Sequence, residues 1–315
     1  MSADCLLAAV DIGGTKLGWA LGTPAGEVVA SGERPTDPAG DPEPQLEQVL
    51  EELFAAPAGG QRPAAMGVAC PGPFLQPEGR FLEVPNLVGW QGFGIRDFLA
   101  ERFEGPVATQ NDANAGVLAE WLWGAARGAK SAAFLTMSTG MGAGFLLDGR
   151  VYEGPRGFAG EIGHLRLSAD GPVGFGKRGS VEGYLSGPGM VQVARSEQLI
   201  ALQRGESTSL ARHKDLTPRD VCEAARAGDP AALLAIDVIG SRLGQLCAIL
   251  VDLLEPEVIV LGTIGTAYPD LFLDRARAVL DEEAIGHSAE RTRIVPSGLA
   301  ERGHLSALAL AAQAL

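Results

Sequence analysis

One local pattern occurs twice in this chain: a short apolar strand, a glycine-rich turn and a second strand. The first copy has an apolar run at residues 6–10, then Asp11, a turn containing Gly13 and Gly14, and alternating apolar residues over 17–21. Short apolar runs bounded by turn residues are typical of buried strands. The pattern therefore predicts a hairpin that carries one carboxylate at the end of its first strand.

The second copy has an apolar run at residues 132–137, a glycine-rich turn at 138–144 and a further strand at 145–147, followed by the turn signal Asp148-Gly149. A supersecondary unit that recurs within one chain indicates duplication. We therefore expect an α/β protein with two similar lobes and a cleft between them. A chance match of two hairpins is the alternative.

The first glycine turn favours binding of an anionic group. A dinucleotide fingerprint or a P-loop needs a helix after its glycines, and neither spacing occurs here. A bare glycine turn lets an anion approach backbone N–H groups, and Asp11 can hold Mg²⁺ beside a phosphate. A tight hairpin that needs glycine only for its backbone angles is the other interpretation.

Composition places few limits on function. The 315 residues suffice for two lobes, and the chain is 46% hydrophobic and 20% charged, as in ordinary globular proteins. The net charge of −14 argues against nucleic acid as the main partner. The four cysteines are scattered, so we expect reduced, mostly buried thiols. We find no signal-peptide pattern and no apparent membrane-spanning stretch, and therefore expect a cytoplasmic protein.

Other strand ends also carry candidate residues. Buried strands at 64–70, 106–109 and 257–261 run into Pro71-Gly72-Pro73, into Gln110-Asn111-Asp112, and into a third glycine turn at 262–265. Ligands often bind at such ends in α/β sheets. We also predict an amphipathic helix at 45–56, helices from Thr217 and from Asp229 to Leu254, a helix at 269–283 and an irregular loop at 74–92. Asp112 is a possible N-cap of the helix that starts at Ala113.

Four motifs in order are similar to those of the ROK family of repressors, uncharacterised reading frames and sugar kinases. They are Asp11-Ile-Gly-Gly-Thr-Lys16, Asn111-Asp112-Ala-Asn114, Ser138-Thr-Gly-Met-Gly142 and Gly160-Glu161-Ile-Gly-His164. Pro71-Gly72-Pro73, Asn86-Leu87 with Trp90, and Gly262 add to the resemblance, which covers nearly the whole chain. It implies the duplicated, two-lobed actin/hexokinase-like (ribonuclease-H-like) fold, here with residues 1–118 and about 300–315 in one lobe and 119–299 in the larger one.

The resemblance also implies roles for individual residues. Asp112 would be the catalytic base that takes a proton from the sugar hydroxyl, as phosphoryl transfer requires; helix capping is its alternative role. The residues that would bind the sugar are Gly72, Asn86, Asn111, Asp112, Glu161, His164 and Glu182. For His164, an ordinary core or surface histidine is the alternative.

ATP would bind between the glycine turns. The residues expected to contact it are Asp11, Gly13, Gly14, Thr15, Lys16, Thr139, Gly140, Gly142, Gly262, Thr263 and Gly265, with Mg²⁺ near Asp11. The first turn would face the phosphates, Thr139-Gly140 the β- and γ-phosphates, and residues 262–265 the nucleoside. Lys16 would neutralise phosphate charge or be a solvated surface lysine.

One segment departs from the family pattern. Most members follow the Gly-His pair with three cysteines that bind Zn²⁺ together with that histidine, but here Val173, Phe175 and Ser180 stand in their places. One imidazole cannot form a four-coordinate zinc site. We therefore expect no structural zinc, and expect Val173 and Phe175 to pack where the metal would have been.

The expected function is ATP- and Mg²⁺-dependent phosphorylation of a hexose, with glucose giving glucose 6-phosphate. N-acetylhexosamines and fructose are alternative acceptors, and a homodimer is what the resemblance implies. A non-catalytic sugar-binding regulator is the main rival, since the altered segment borders the sugar site. A DNA-binding repressor is not expected, because only ten residues precede Asp11. A generic actin-like ATPase is disfavoured by Asn86, Glu161 and His164.

Overall fold

The computed structural model describes residues 5–56, 61–76 and 78–315. Its strands are β1 (Leu7–Ile12), β2 (Lys16–Gly22), β3 (Val28–Pro35), β4 (Met66–Cys70), β5 (Phe74–Leu75), β6 (Arg80–Phe81), β7 (Val107–Asn111), β8 (Ala132–Leu135), β9 (Ala143–Leu147), β10 (Arg150–Val151), β11 (Val173–Gly174), β12 (Lys177–Arg178), β13 (Val258–Leu261) and β14 (Arg293–Pro296). Its helices are α1 (Pro42–Ala55), α2 (Ile95–Ala100), α3 (Asp112–Trp123), α4 (Val181–Leu185), α5 (Gly187–Gln203), α6 (Pro218–Arg226), α7 (Pro230–Leu254), α8 (Thr263–Ala267), α9 (Pro269–Glu283), α10 (Gly286–Ala289) and α11 (Arg302–Gln313).

Two five-stranded sheets have the same topology. The strand order is β3-β2-β1-β4-β7 in the first sheet and β10-β9-β8-β13-β14 in the second. In each, three antiparallel strands from consecutive hairpins are extended by two parallel strands. The duplicated α/β fold predicted from the two glycine-turn units is therefore confirmed.

Each sheet is buried on both faces by helices, which explains the continuous apolar runs in its central strands. In β1, Leu7 and Ala9 pack on the side of α3 and α11, while Ala8 and Val10 pack on the opposite side with α1. A sheet with one face in water would instead show alternating apolar and polar residues along these strands.

The C-terminal helix α11 belongs to the first sheet, although it is far away in sequence. It packs on β1, β4 and α3. A β-carbon on Gly67 of β4 would lie 1.9 Å from the carbonyl oxygen of Ala307, so the helix approaches the strand closely. Residue 118, the predicted lobe boundary, falls inside α3, which also packs on β8 and β9. The division into lobes stays a prediction.

The structure corrects several predicted boundaries. α1 begins at Pro42 rather than at residue 45, because Asp41 caps it and proline occupies the first turn. The run at residues 27–31 predicts a strand there, and β3 extends beyond it to Pro35, paired with β2. The loop at 74–92, apart from Pro77, contains the β5–β6 hairpin and a 3₁₀ turn, Val88–Trp90. Residues 1–4, which bear on the signal-peptide expectation, lie outside the described residues.

The expectation that no stretch is long and apolar enough to span a membrane was wrong for α7. Its 25 residues meet that criterion by length and composition. Most of the apolar window is buried inside the protein, and the helix packs against α5 and α9. α7 therefore forms the core of the second half of the chain.

The cysteines are unpaired, as predicted. Cys70, Cys222 and Cys247 are buried and Cys5 is partly buried. Burial raises the pKa of the Cys222 thiol to about 12, and burial raises that of Cys247 likewise to about 12. Both thiols therefore stay protonated at neutral pH.

Candidate active site

Asp112 lies where the two sheets meet. Asp112 is the first residue of α3, so the N-cap of this helix is Asn111 and not Asp112. The Oδ1 atom of Asp112 accepts a hydrogen bond from Ala113 N at 2.8 Å. Asn111 Oδ1 accepts from Ala113 N at 2.9 Å. A β-carbon on Gly144 of β9 would lie 2.1 Å from the carbonyl oxygen of Ala113, so the start of α3 rests against the second sheet. Because Asn111 supplies the cap, Asp112 is not needed to hold the helix.

The environment of Asp112 disfavours its charged form. The Asp112 side chain is exposed to the cleft that it lines. The pKa of Asp112 is raised to about 6, chiefly by burial and then by the negative charge of Asp11, while the Ala113 N–H opposes the rise. A carboxylate with such a pKa is suited to accept a proton near neutral pH.

Three predicted sugar-binding residues converge beside Asp112. A β-carbon on Gly72, after β4, would lie 3.2 Å from Asn111 Nδ2 and 3.4 Å from Glu161 Oε1. Glycine at position 72 therefore leaves room between an amide donor and a carboxylate acceptor. Such a pair of groups can hold adjacent hydroxyls at fixed angles.

His164 and Glu182 lie near Glu161, in the region predicted to bind the sugar. His164 Nε2 lies 4.0 Å from Glu161 Oε2. Glu182 Oε2 accepts from Met141 N at 3.2 Å, which ties it to the second glycine turn. Burial raises the pKa of Glu161 and of Glu182, and the charge of Glu161 contributes to the rise at Glu182. The carboxylates of this pocket are thus close enough to influence one another.

Asn86 lies against the first glycine turn. A β-carbon on Gly14 would lie 2.7 Å from Asn86 Cβ, and the Asn86 side chain is exposed. Trp90 of the same loop is fully buried, with its ring 5.5 Å from that of Phe81 in an edge-on arrangement. Trp90 therefore supports the loop from the core, while Asn86 remains available for a ligand.

A cleft of about 650 Å³ extends from Asp112 to Asp11 and Lys16, which flank the first glycine turn. Of the predicted ATP-binding residues, Asp11, Lys16 and Thr263 line it. Its other walls come from strand ends of both sheets and from the start of α11, through Thr136, Ser138, Arg302, Gly303 and His304 among others.

A bound divalent cation would stabilise the charged form of the Asp11 carboxylate. Burial raises the pKa of this carboxylate, and the neighbouring His304 and Lys16 side chains only partly offset the rise. Mg²⁺ typically binds proteins through one or two carboxylates together with substrate phosphates. The residues present therefore fit a magnesium–nucleotide complex at Asp11.

Lys16 is paired with an acidic side chain rather than freely solvated. Its Nζ forms an ion pair with the carboxylate of Glu33 on β3, and this contact lowers the pKa of Glu33. Both side chains are about half exposed and line the cleft. A phosphate would have to compete with Glu33 for Lys16.

The two glycine turns are closed by backbone hydrogen bonds. Gly13 N donates to Lys16 O at 2.9 Å, and Ser138 N donates to Gly140 O at 3.0 Å. Gly142 N donates to Thr136 Oγ1 at 2.9 Å. Thr15 and Thr139 are exposed at the tips of these turns.

The third glycine segment is the start of helix α8 rather than a turn. A β-carbon on Gly262 would lie 2.8 Å from Phe134 Cζ, so Gly262 is buried against β8 by a close approach. Gly265 is also buried, and Thr263 is the residue that faces the cleft, with φ of 32°. The predicted contact with the nucleoside therefore rests on Thr263.

The segment that lacks the zinc cysteines does not bury its apolar side chains. Val173 is 44% and Phe175 47% exposed, and of the two only the Phe175 ring is stacked against His164, as the expectation for that residue required. Ser180 is buried and caps α4, accepting from Gly183 N at 3.0 Å. Within residues 5–56, 61–76 and 78–315, no three His, Cys, Asp or Glu side chains are grouped to hold a metal ion. The residues present do not fit zinc, and stoichiometric zinc in the purified protein would contradict this.

Two sheets of the same topology, with a cleft lined by Asp11 and Asp112, define the class of hexokinase-like folds. The chain belongs to the ROK family, whose model matches residues 7–314.

Its relatives include sugar kinases. A glucokinase of Halalkalibacterium halodurans is 33% identical over 80% of this chain and 78% of its own length. The structure of a Streptomyces griseus ROK family glucokinase in complex with glucose and AMPPNP matches with a TM-score of 0.80 and 27% identity, over 98% of this chain and 99% of that one.

They also include repressors. A xylose repressor of Caldicellulosiruptor bescii is 28% identical over 75% of this chain and 59% of its own length. A ROK family transcriptional regulator, a homologue of the E. coli MLC protein, matches with a TM-score of 0.88 and 26% identity, over 99% of this chain and 78% of that one. Family membership therefore leaves catalysis to be argued from the site.

Sequence reasoning missed the contribution of α11 to the cleft. Arg302 is partly buried there and donates from Nη1 to Thr266 Oγ1 at 3.2 Å. Burial lowers the pKa of Arg302, while the charge of Glu120 raises it. These residues follow no motif, and only the packing of α11 on the first sheet brings them to the cleft.

Proposed function

We propose that this protein is an ATP- and Mg²⁺-dependent hexose kinase that phosphorylates glucose to glucose 6-phosphate. The observation that supports it best is the position of Asp112. Its carboxylate lines the nucleotide cleft and is influenced by the charges of both Asp11 and Glu161, so it lies between the two halves of the site.

In the proposed reaction, the sugar is held by Asn111, Glu161, His164 and Glu182 with one hydroxyl beside Asp112. Asp112 accepts the hydroxyl proton while the sugar oxygen forms a bond to the γ-phosphorus and the bond from that phosphorus to the β–γ bridging oxygen breaks, releasing ADP. Phosphoryl transfer depends mainly on positioning and charge stabilisation, so a single base is sufficient.

ATP would lie along the cleft with its phosphates at the two glycine turns. Lys16 and Arg302 supply positive charge on the cleft wall, and Thr263 lies at its far side. Asp11 would hold Mg²⁺, which neutralises phosphate charge when it is bound. The homodimer and the cytoplasmic location stay predictions.

The experiment is an ADP-release assay with MgATP and a panel of glucose, mannose, fructose, N-acetylglucosamine and N-acetylmannosamine. We expect the highest kcat/KM with glucose. A preference for an N-acetylhexosamine or fructose would replace the acceptor but keep the reaction. ADP release that no sugar increases would overturn the proposal.

The second candidate is a sugar-binding regulator without catalysis. It is favoured by the match to the transcriptional regulator and by the altered segment beside His164. Calorimetry separates the two: glucose binding without any turnover would favour the regulator. Glucose binding together with ADP release would favour the kinase.

A further inference from the structure

The hairpin β11–β12 carries an aromatic ring onto His164. The Phe175 ring and the His164 imidazole are stacked, with centroids 4.2 Å apart and planes 15° from parallel. Phe175 occupies a position where most of the family has a zinc-binding cysteine. The imidazole therefore contacts a ring where family members place a metal.

Phe175 holds this position at a conformational cost. Phe175 and Gly176 form the two-residue turn of the hairpin, with φ of 49° and 68°. Turns with positive φ at both central residues favour Asn-Gly, and a bulky side chain in the first place is strained. The ring is also 47% exposed, so burial in a core does not compensate for the strain. The ring is instead stacked on His164.

A second contact fixes the backbone of His164 to the same hairpin. Lys177 Nζ donates to the His164 carbonyl oxygen at 3.0 Å. A β-carbon on Gly163 would lie 3.4 Å from Phe175 Cε2, so the ring also covers the turn before His164. Both the ring and the main chain of His164 are thus held from one side, while Nε2 lies 4.0 Å from Glu161 Oε2 on the other.

We propose that Phe175 is a positioning residue for sugar binding. Its ring fixes the plane of the His164 imidazole so that Nε2 faces Glu161 and the sugar pocket, and the Lys177 contact fixes the main chain beneath. Phe175 acts through His164 and does not itself touch the sugar. The effect on sugar kinetics rests on the proposed function, whereas the stack itself does not.

The first test measures the stack in the sugar-free protein by NMR of the histidine Cε1–H groups. The chain has 4 histidines, and His164→Gln identifies the His164 signal. A ring stacked over the imidazole shifts that signal upfield, and Phe175→Leu should remove the shift while keeping an apolar side chain. Phe175→Tyr should retain it. An unmoved signal in Phe175→Leu would overturn the proposal, whatever the activity of the protein.

Val173→Ala is the matched control on the same hairpin. Val173 is 44% exposed, and its backbone is held by Gln192 through N and O contacts of 2.9 Å each. It should leave the His164 signal and sugar binding unchanged. A His164 shift as large in Val173→Ala as in Phe175→Leu would assign the effect to the hairpin as a whole and overturn the role of the ring.

The second test measures sugar affinity. In Phe175→Leu we expect glucose KM, and the calorimetric Kd for glucose, to rise about tenfold with the KM for ATP unchanged, and Phe175→Tyr to restore both. Equal loss of ATP and glucose affinity, or unchanged glucose affinity, would overturn the positioning role. If the wild type binds glucose without phosphorylating it, the proposed kinase function fails, and the calorimetric comparison still decides the role of Phe175.

Discussion

The carboxylate of Asp11 lies directly against the backbone of Gly303. A β-carbon on Gly303 would lie 2.0 Å from Asp11 Oδ2, although the two residues are at opposite ends of the chain. The start of α11 therefore fixes the position of the carboxylate that we assign to the magnesium–nucleotide complex.

Gly303→Ala should impair nucleotide binding with little loss of stability. Alanine is favoured over glycine in helices, but its methyl group would displace the Asp11 carboxylate. We expect KM for ATP to rise about tenfold in initial-rate measurements with the KM for glucose unchanged. Gly286→Ala is the control, because a β-carbon there has no described neighbour within 4 Å. Unchanged ATP kinetics in Gly303→Ala would contradict the assignment of Asp11.

Arg302→Met should weaken ATP binding more than sugar binding. Arg302 lines the same cleft as Asp11 and is held by Thr266, so its loss removes a cation from the proposed anion site. Charged hydrogen bonds of this kind contribute enough to raise KM for ATP roughly ten- to a hundredfold. Arg219→Met, at an exposed site on α6, is the control. Equal ATP KM values for Arg302→Met and Arg219→Met would show that Arg302 does not contact the nucleotide.

The activity should depend on pH through Asp112. A general base works only when it is unprotonated, and the pKa of Asp112 is raised to about 6, chiefly by burial. We expect kcat/KM for glucose to be constant above that pH and to fall tenfold per pH unit below it. Preincubation at low pH followed by assay at pH 7.5 controls for unfolding. A profile that is flat from pH 5 to pH 8 would contradict a base with this pKa.

Asp112 should also make the folded protein less stable as pH rises. Its pKa is raised from 3.8 to about 6 on folding, so the folded state binds the proton more tightly than the unfolded state. That stabilisation is present below pH 4 and is lost between about pH 4 and pH 6. Asp112→Asn has no carboxyl group to ionise, so it should not lose stability as pH rises. After a discount for solvent screening in the cleft, we expect its free energy of unfolding to exceed that of the wild type by about 1 kcal/mol at pH 7.5, or about 2 °C in Tm, and to equal it at pH 4. Equal gains in Tm at both pH values would contradict this linkage.

The fold could be predicted from the sequence because each of the two repeated units is formed by residues close together in the chain. Each strand, glycine turn and strand lies within about 20 residues, and the apolar runs of β1 and β8 show that both faces are covered. Thr217 and Asp229 likewise predicted the starts of α6 and α7, where both side chains cap the helix.

The contacts between distant segments could not be predicted in this way. The placement of Arg302 and Gly303 in the cleft depends on the packing of α11 on β1 and β4, which no local pattern encodes. The resemblance placed Val173 and Phe175 together at the site of the missing metal, but Val173 is exposed on the hairpin. At Phe175 the turn geometry and the stack on His164 determine the position of the ring.

The most direct test of the central claim is ³¹P NMR of a reaction with MgATP and glucose, in the wild type and in Asp112→Asn, with Asp274→Asn as an exposed control on α9. We predict equal amounts of ADP and glucose 6-phosphate for the wild type and the control, and a rate about 10³-fold lower for Asp112→Asn. Sugar phosphate formed by Asp112→Asn at the wild-type rate, or none formed by the wild type, would contradict the account.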